Sequence, residues 1–257
     1  MSVNIDLGGQ HALVTGASRG IGSAIAEALG RAGAMVALHY HENEEAAKKV
    51  ARRLRNLDDR GEVPLLRADM GSSQDIWQMF DLYDSAFPAI DLVVCNAGVW
   101  KRAPIEKVSD DEVRDTLAVN LEGVIHTCRL AAMRMIRQGK GGSIVLVSSM
   151  AGVLGEAYHS HYAASKGALI ALGRSLAVEL APHRIRVNTV APGWIHTDMS
   201  REVLESPAGD EVRRRIPAGD AGQPKDVAGP VLFLASSLAS YITGEVLCPN
   251  GGVAHFR

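Results

Sequence analysis

Cysteine is scarce in this sequence. Cys95, Cys128 and Cys248 are all there is, an odd number placed far apart. No CxxC pair and no Cys/His ligand spacing occurs, so no metal site is expected, and reduced thiols are expected rather than a disulfide frame. An excess of charge of one sign is missing too. Lysine and arginine number 27 against 29 acidic residues, which gives no footing for a nucleic-acid-binding chain. Of the two local basic stretches, KKVARRLR at 48–55 and VRRR at 212–215, the first reads as the solvated face of a helix. No run approaches the roughly 18 uninterrupted apolar residues of a membrane span. MSVNIDLGGQ lacks the basic segment and apolar run of a secretory signal. Fixed-period repeats, low-complexity tracts and linker-like shifts in composition are also absent. The expectation is a soluble, cytoplasmic protein without membrane or nucleic-acid partners. Its 257 residues suit one domain with a sizeable core.

What is present is alternation. Short apolar runs read as strands at 11–16, 34–40, 63–69, 90–98, 142–149, 184–193 and 245–252. Helical patterns lie between them at 20–33, 43–57, 72–87, 109–138, 158–181 and 224–237. Ser72 followed by Asp75, and Ser109 followed by Glu112, are helix-start signals, and Pro224 fits a first helical turn. Strands this continuously rich in Val, Ile and Leu belong in a parallel sheet covered on both faces. Right-handed crossovers then give a single-domain α/β Rossmann fold, a doubly wound parallel sheet of seven strands with helices on both faces. Ligands of such a sheet bind at the carboxyl ends of its strands, so the residues just after each strand are the ones to read.

After the first strand comes TGASRGIG (15–22), with Gly16, Gly20 and Gly22 linking strand to helix. Gly16 permits a tight turn. Gly20 and Gly22 let backbone approach a pyrophosphate and helix approach strand, while the N–H groups of the helix start face the phosphates. A glycine turn can be purely structural, but the strand–turn–helix context points to a dinucleotide site. HYAASKG (161–167) places Tyr162 four positions before Lys166. That spacing makes neighbours on any helix, whether or not they do chemistry.

GxxxGxG with a threonine ahead, NAG at 96–98 and YxxxK at 162–166 together resemble the short-chain dehydrogenase/reductase family, over nearly the whole chain. The resemblance implies a catalytic set of Asn120, Ser149, Tyr162 and Lys166. Ser148 is the neighbouring choice for the serine, and the family's interval of thirteen residues before the tyrosine selects Ser149. It implies cofactor contacts from Gly16, Ser18, Arg19, Gly20, Ile21 and Gly22 in the turn, and from Tyr40 and His41 after the second strand. Asp69 and Met70 follow the third strand, with Asp69 placed to meet the adenine amino group. Asn96, Ala97 and Gly98 lie beneath the cofactor. Tyr162 and Lys166 reach it as well, and Pro192, Gly193, Ile195 and Thr197 meet the nicotinamide carboxamide and the phosphates. A simple strand-end cap is the plain alternative for Asp69. The Lys166 ammonium is expected to lower the pKa of Tyr162, which then acts as general acid or base.

Where NAD-preferring members carry an acid at the end of the second strand, this chain has Tyr40. Arg19 could pair with a 2′-phosphate, so NADP(H) is favoured and NAD(H) stays open, since Glu42 offers a late acid. The C-terminal stretches look most like beta-ketoacyl-carrier-protein reductases. Lys140 and the His183–Arg184 pair then suggest an acyl carrier as a partner, or are ordinary surface charges. GEAYHSHY (155–162) departs from that group with Glu156, Tyr158, His159 and His161, and Asp220 replaces a usual arginine. These changes suit a polyol or sugar. Residues 194–222 are expected to form the substrate loop, and the family implies a homotetramer. A dinucleotide-binding sensor without catalysis is the reading from another class.

Overall fold

The computed structural model describes residues 5–57 and 62–254. The first residues of MSVNIDLGGQ, and both ends of the single domain expected over 1–257, lie outside the described residues. Among the described residues, seven parallel strands form one sheet: β1 His11–Val14, β2 Met35–Tyr40, β3 Leu65–Arg67, β4 Leu92–Cys95, β5 Gly142–Val147, β6 Ile185–Val190 and β7 Val246–Leu247. Their order is β3-β2-β1-β4-β5-β6-β7. The chain winds outward from β1 to β3 and returns to place β4 on the other side of β1. The order therefore reverses between β1 and β4, and a crevice opens at their carboxyl ends.

Among the described residues, ten α-helices connect and cover the strands: α1 Gly20–Arg31, α2 Glu44–Arg55, α3 Ser73–Ala86, α4 Asp110–Leu117, α5 Gly123–Gln138, α6 Ala151–Leu154, α7 Ser160–Leu180, α8 Arg201–Leu204, α9 Pro207–Arg214 and α10 Pro224–Ala235. Adjacent strand residues point to opposite faces, and both faces are buried. Leu13, Val93 and Ile144 pack in the layer that holds Phe80 and Leu130. Their neighbours Val14, Val94 and Val145 pack with Ile25 of α1 and Val231 of α10. Burying each such aliphatic side chain contributes about 2 kcal/mol, which explains why the central strands carry almost no polar residues.

Local signals match the observed starts. Ser109 and Glu112 form a capping box at α4, and the Ser72 hydroxyl accepts the Asp75 N–H at α3. Gly33 follows α1 at a φ of +107°, and a Cβ there would stand 2.8 Å from the Gly8 nitrogen. One expectation fails. The continuous helix expected over 109–138 is broken by a π turn at Ala118–Glu122, between α4 and α5. Gly123 closes that turn by donating its N–H to the Ala118 carbonyl, five residues back. Gly123 also lies against the Met70 carbonyl, where a Cβ would come within 2.2 Å. The polar side chain of Asn120 is buried at this break, held by contacts outside its own helix.

Candidate active site

The glycine turn is fastened from three strands. Gly16 sits at a φ of +64°, where a Cβ would fall 2.9 Å from Ala97 Cα. Its N–H donates to His39 Nδ1 at 2.9 Å, and the other ring nitrogen of His39 meets the Ala68 carbonyl at 3.1 Å. The first bond requires an unprotonated Nδ1, which places the proton on Nε2. Burial keeps the ring neutral and pushes its pKa down to about 4. Thr15 Oγ accepts the N–H groups of Asn96 and Ala97 at 2.9 and 3.0 Å. The Asn96 amide donates back to the carbonyls of Thr15 and Gly16 at 3.0 and 3.1 Å. Asn96 therefore clamps β4 to the turn through its side chain.

Arg19 caps α1 in extended conformation without a side-chain cap bond, so the N–H groups of the first turn are directed at whatever anion sits there. A Cβ on Gly22 would stand 2.2 Å from the Gly16 carbonyl, so only glycine lets the helix start this close to the strand. Ser18 and Ile21 are half-buried in the same turn. Thr197 leans over Gly20, 3.4 Å from where a Cβ would be. A cleft of about 310 Å³ is lined by Gly20, His196, Thr197 and Asp198. These features fit a dinucleotide whose pyrophosphate rests on backbone.

Further along the crevice, Lys166 is buried on α7 and donates from Nζ to the Val147 carbonyl at 2.9 Å. Ser148 is committed elsewhere, its hydroxyl donating to the Lys166 carbonyl at 2.7 Å. Ser149 Oγ accepts the Ala151 N–H at 3.1 Å, and Ser149 is the serine near enough to Tyr162 to favour its phenolate. Asn120 accepts the Val99 N–H at 2.8 Å and donates to the Val99 carbonyl at 2.9 Å and to Ser165 Oγ at 3.2 Å. Gly98 passes between Asn120 and Lys166, leaving room only for hydrogen: a Cβ would be 3.1 Å from Asn120 Oδ1 and 3.3 Å from Lys166 Nζ. The structure thus brings Asn120, Ser149, Tyr162 and Lys166 to one place.

The electrostatics differ from expectation. Burial pushes the Tyr162 phenol up to about 12, against the opposing influence of the nearby Ser149. Burial brings the Lys166 ammonium down to about 8. The lysine was expected to lower the tyrosine, but its ammonium lies 5.9 Å from the ring centroid and is held by Val147. Both charged forms are disfavoured for lack of water.

A family model described as "Enoyl-(Acyl carrier protein) reductase" matches residues 16–254. The chain belongs to the short-chain dehydrogenase/reductase family. It is similar to the L-rhamnose 1-dehydrogenase (NAD(P)(+)) of Sphingomonas sp. (strain SKA58), 36% identical, with 96% of this chain and 97% of the other covered. It is equally similar in extent to the 3-oxoacyl-[acyl-carrier-protein] reductase FabG of Aquifex aeolicus (strain VF5), 39% identical over 98% of this chain and 100% of the other. Among solved structures, a gluconate 5-dehydrogenase from Burkholderia cenocepacia J2315 in complex with NADP and tartrate superposes with a TM-score of 0.90. It is 32% identical, and 97% of each chain is covered. This short-chain dehydrogenase/reductase is therefore an oxidoreductase acting on CH–OH groups.

The remaining expected contacts sort differently in this member of the family. Asp69 Oδ1 caps the Gly71 N–H at 2.8 Å, and Asp75 holds the Asp69 N–H at 3.1 Å. The strand-end cap is real, and the second carboxylate oxygen is uncommitted to Gly71. Met70 and Tyr40 are buried, whereas His41 and Arg19 are exposed. Pro192 accepts the Met150 N–H at 2.9 Å, Gly193 lies against Asn250, and Ile195 is buried in a bridge with Gly222. Lys140 precedes β5, and His183 with Arg184 precedes β6, so these basic residues stand at the opposite end of the sheet from Tyr162. A six-residue strand is about 20 Å long, which separates them from the crevice.

Sequence reasoning gave His39 no part in holding the glycine turn, although a histidine inside an apolar strand was an available signal. The polar stretch of Glu156, Tyr158, His159 and His161 was legible, but Trp100 and Trp194, which join it in one wall, were missed. Trp100 stacks on His159 with ring centroids 4.4 Å apart and meets Trp194 edge-on at 5.9 Å. Trp100 Nε1 donates to Glu156 at 3.3 Å, and the other Glu156 oxygen is 3.3 Å from His159 Nδ1. Tyr158 stands in this stretch at a φ of +65°, with the Arg102 guanidinium 4.5 Å above its ring. His161 is buried on α7 with neither ring nitrogen hydrogen-bonded.

Proposed function

We propose that the protein is an NADP(H)-dependent oxidoreductase that interconverts a ketone and a secondary alcohol, with Tyr162 as general acid–base. The convergence of Ser149, Tyr162, Lys166 and Asn120 on one crevice, beside a glycine turn built for phosphate, carries this reading. A sensor would have no use for the first three together. The turn, Asn96–Gly98, and Lys166 would hold the dinucleotide, which when bound supplies the hydride for reduction or accepts it in oxidation. Ser149 donates to the substrate oxygen and stabilises negative charge as it develops there. The phenol of Tyr162, protonated at neutral pH, gives its proton to that oxygen in reduction and takes it back in oxidation. Lys166 is mostly cationic at neutral pH with its pKa near 8, and it stabilises the phenolate left behind. Asn120 positions the backbone of Val99 and the Ser165 hydroxyl, which fixes α7 against the crevice.

Preference for NADP(H) is supported by Arg19, exposed in the turn and 3.9 Å from Asp198, and by the lack of an acid at position 40. Two substrate classes are compatible with the relatives. A 3-oxoacyl thioester is supported by the C-terminal stretches and by the reductase relatives. A polyol or sugar is supported by the polar wall of Glu156 and His159 and by the dehydrogenase relatives. We further propose a homotetramer, supported by the exposed apolar residues Ile125 and Met133 on α5 and Val178 on α7.

One kinetic panel tests the reading: acetoacetyl thioesters, diketones, polyols and sugars, each with both cofactors. Turnover is expected with higher kcat/KM for the 2′-phosphorylated cofactor, and Arg19→Ala should narrow the gap. No turnover of any member with either cofactor would sink it, and equal efficiencies would remove the cofactor preference.

A further inference from the structure

Glu156 is a carboxylate joined to the tryptophan wall through Trp100. It stands between Ser149 and Tyr162 in the chain, and its charge is felt by the Tyr162 phenol. Its side chain is only 24% exposed. Trp100 Nε1 donates to one of its oxygens at 3.3 Å. His159 Nδ1 lies 3.3 Å from the other oxygen, but its hydrogen bond goes to the Ala157 carbonyl at 3.1 Å. A carboxylate has about four acceptor positions. Water reaches the open positions of this half-buried carboxylate, and a substrate donor can take the place of that water. Trp100, stacked on His159 and braced by Trp194, fixes the carboxylate in orientation. Trp194 is itself anchored by Leu204 and Ile216, in the segment after β6. The acceptor is therefore half-buried, held by Trp100, and carried on the segment that joins Ser149 to Tyr162.

Resting on the oxidoreductase reading above, we propose that Glu156 is a specificity-determining residue that accepts a hydrogen bond from a hydroxyl on the carbon next to the reacting one. The substrate class is then a vicinal diol or its α-hydroxyketone, as in polyols and sugars. A 3-oxoacyl thioester carries only carbonyl acceptors near its reacting carbon. It would leave Glu156 without a donor and oppose oxygen to oxygen. A sugar-type substrate offers hydroxyl donors along one edge and C–H groups on its faces, and the faces can pack on the right-angled corner of Trp100 and Trp194. A site built to bond a substrate hydroxyl discriminates strongly against the analogue that lacks it, because its own polar group is left unpaired.

The test uses the full chain with NADP and two pairs of alcohols that differ by one hydroxyl: butane-2,3-diol against butan-2-ol, and cyclohexane-1,2-diol against cyclohexanol. Wild type should prefer the diol by about tenfold or more in kcat/KM. Glu156→Gln is nearly isosteric but brings a donor, and it should bring that ratio toward one, mainly through KM for the diol. Glu156→Asp, which retains the charge, should restore part of the preference. A melting temperature near that of wild type shows that each variant is folded. If wild type oxidises both members of each pair equally, or Glu156→Gln keeps the full preference, the proposal is overturned while the oxidoreductase reading stands. Turnover of acetoacetyl thioester alone overturns it in the same way. A wild-type enzyme inactive on every compound and in both directions overturns the underlying reading too.

Discussion

The cofactor side of the crevice is made of backbone, and the substrate side is made of side chains from three separate loops. On the first side, the start of α1 at Gly20 and Gly22 presents backbone N–H groups, and Gly16 is held by residues at the ends of β1, β2 and β4. On the second, Trp100, Glu156, His159 and Trp194 come from segments after β4, after β5 and after β6. Backbone can grip a phosphate common to every dinucleotide, so one solution serves many enzymes. Side chains recognise what differs between substrates, so that wall can change while the turn stays the same. Tyr162 stands between the two sides and needs both.

Replacing Tyr162 should give the largest effect and is the sharpest probe of that junction. Tyr162→Phe removes one oxygen, and the rate should fall about 100- to 10,000-fold, the usual range for lost general acid–base catalysis. Cofactor binding, followed by NADPH fluorescence, should survive because the turn is untouched. Lys166→Ala should lower both rate and cofactor affinity. A Tyr162→Phe enzyme that reduces ketones at nearly the wild-type rate would remove Tyr162 from the mechanism and return the pair to two neighbours on a helix.

Gly22→Ala breaks the other side alone. The new methyl would sit 2.2 Å from the Gly16 carbonyl and 2.6 Å from the Asn96 amide, so the turn must open. A displacement of this order costs roughly 10- to 100-fold. The loss should fall on cofactor KM and leave the diol-to-alcohol ratio set by Glu156 unchanged. A shift in that ratio would show that the two sides are not independent.

The smallest effect concerns His39. His39→Ala orphans the buried Gly16 N–H and should cost about 1–3 kcal/mol of stability. The sign of the pH dependence follows from burial. The unfolded imidazole titrates near 6.5, and the folded one only near 4. Between those values the unfolded chain binds the extra proton, so stability is full above the unfolded value and declines as pH falls toward 4. Melting temperatures from pH 7 to 4 should show a decline attributable to this ring, and His39→Ala should flatten it. Equal slopes for wild type and variant would exclude His39 as its source.

The fold was legible because a buried parallel sheet demands apolar runs, and crossovers demand helices between them. The site was legible wherever a short local pattern carried it: the glycine turn, NAG, and the Tyr162–Lys166 spacing. The π turn at Asn120 was not. Its cause is a tertiary clamp on the Val99 backbone and a close approach of Gly123 to Met70, and neither leaves a periodic mark.

The pKa of Tyr162 was misjudged for a related reason. Spacing shows that two groups are near, but not how much water remains between them or that Val147 takes the ammonium. By itself, the sequence determined the sheet, the helices around it and the end of the sheet at which chemistry occurs, because each depends on local periodicity and turn chemistry. Only the tertiary structure decided that Trp100, Glu156 and His159 form one wall, because their contact depends on how distant loops pack, and that His39 stays neutral, because desolvation depends on everything packed around a residue.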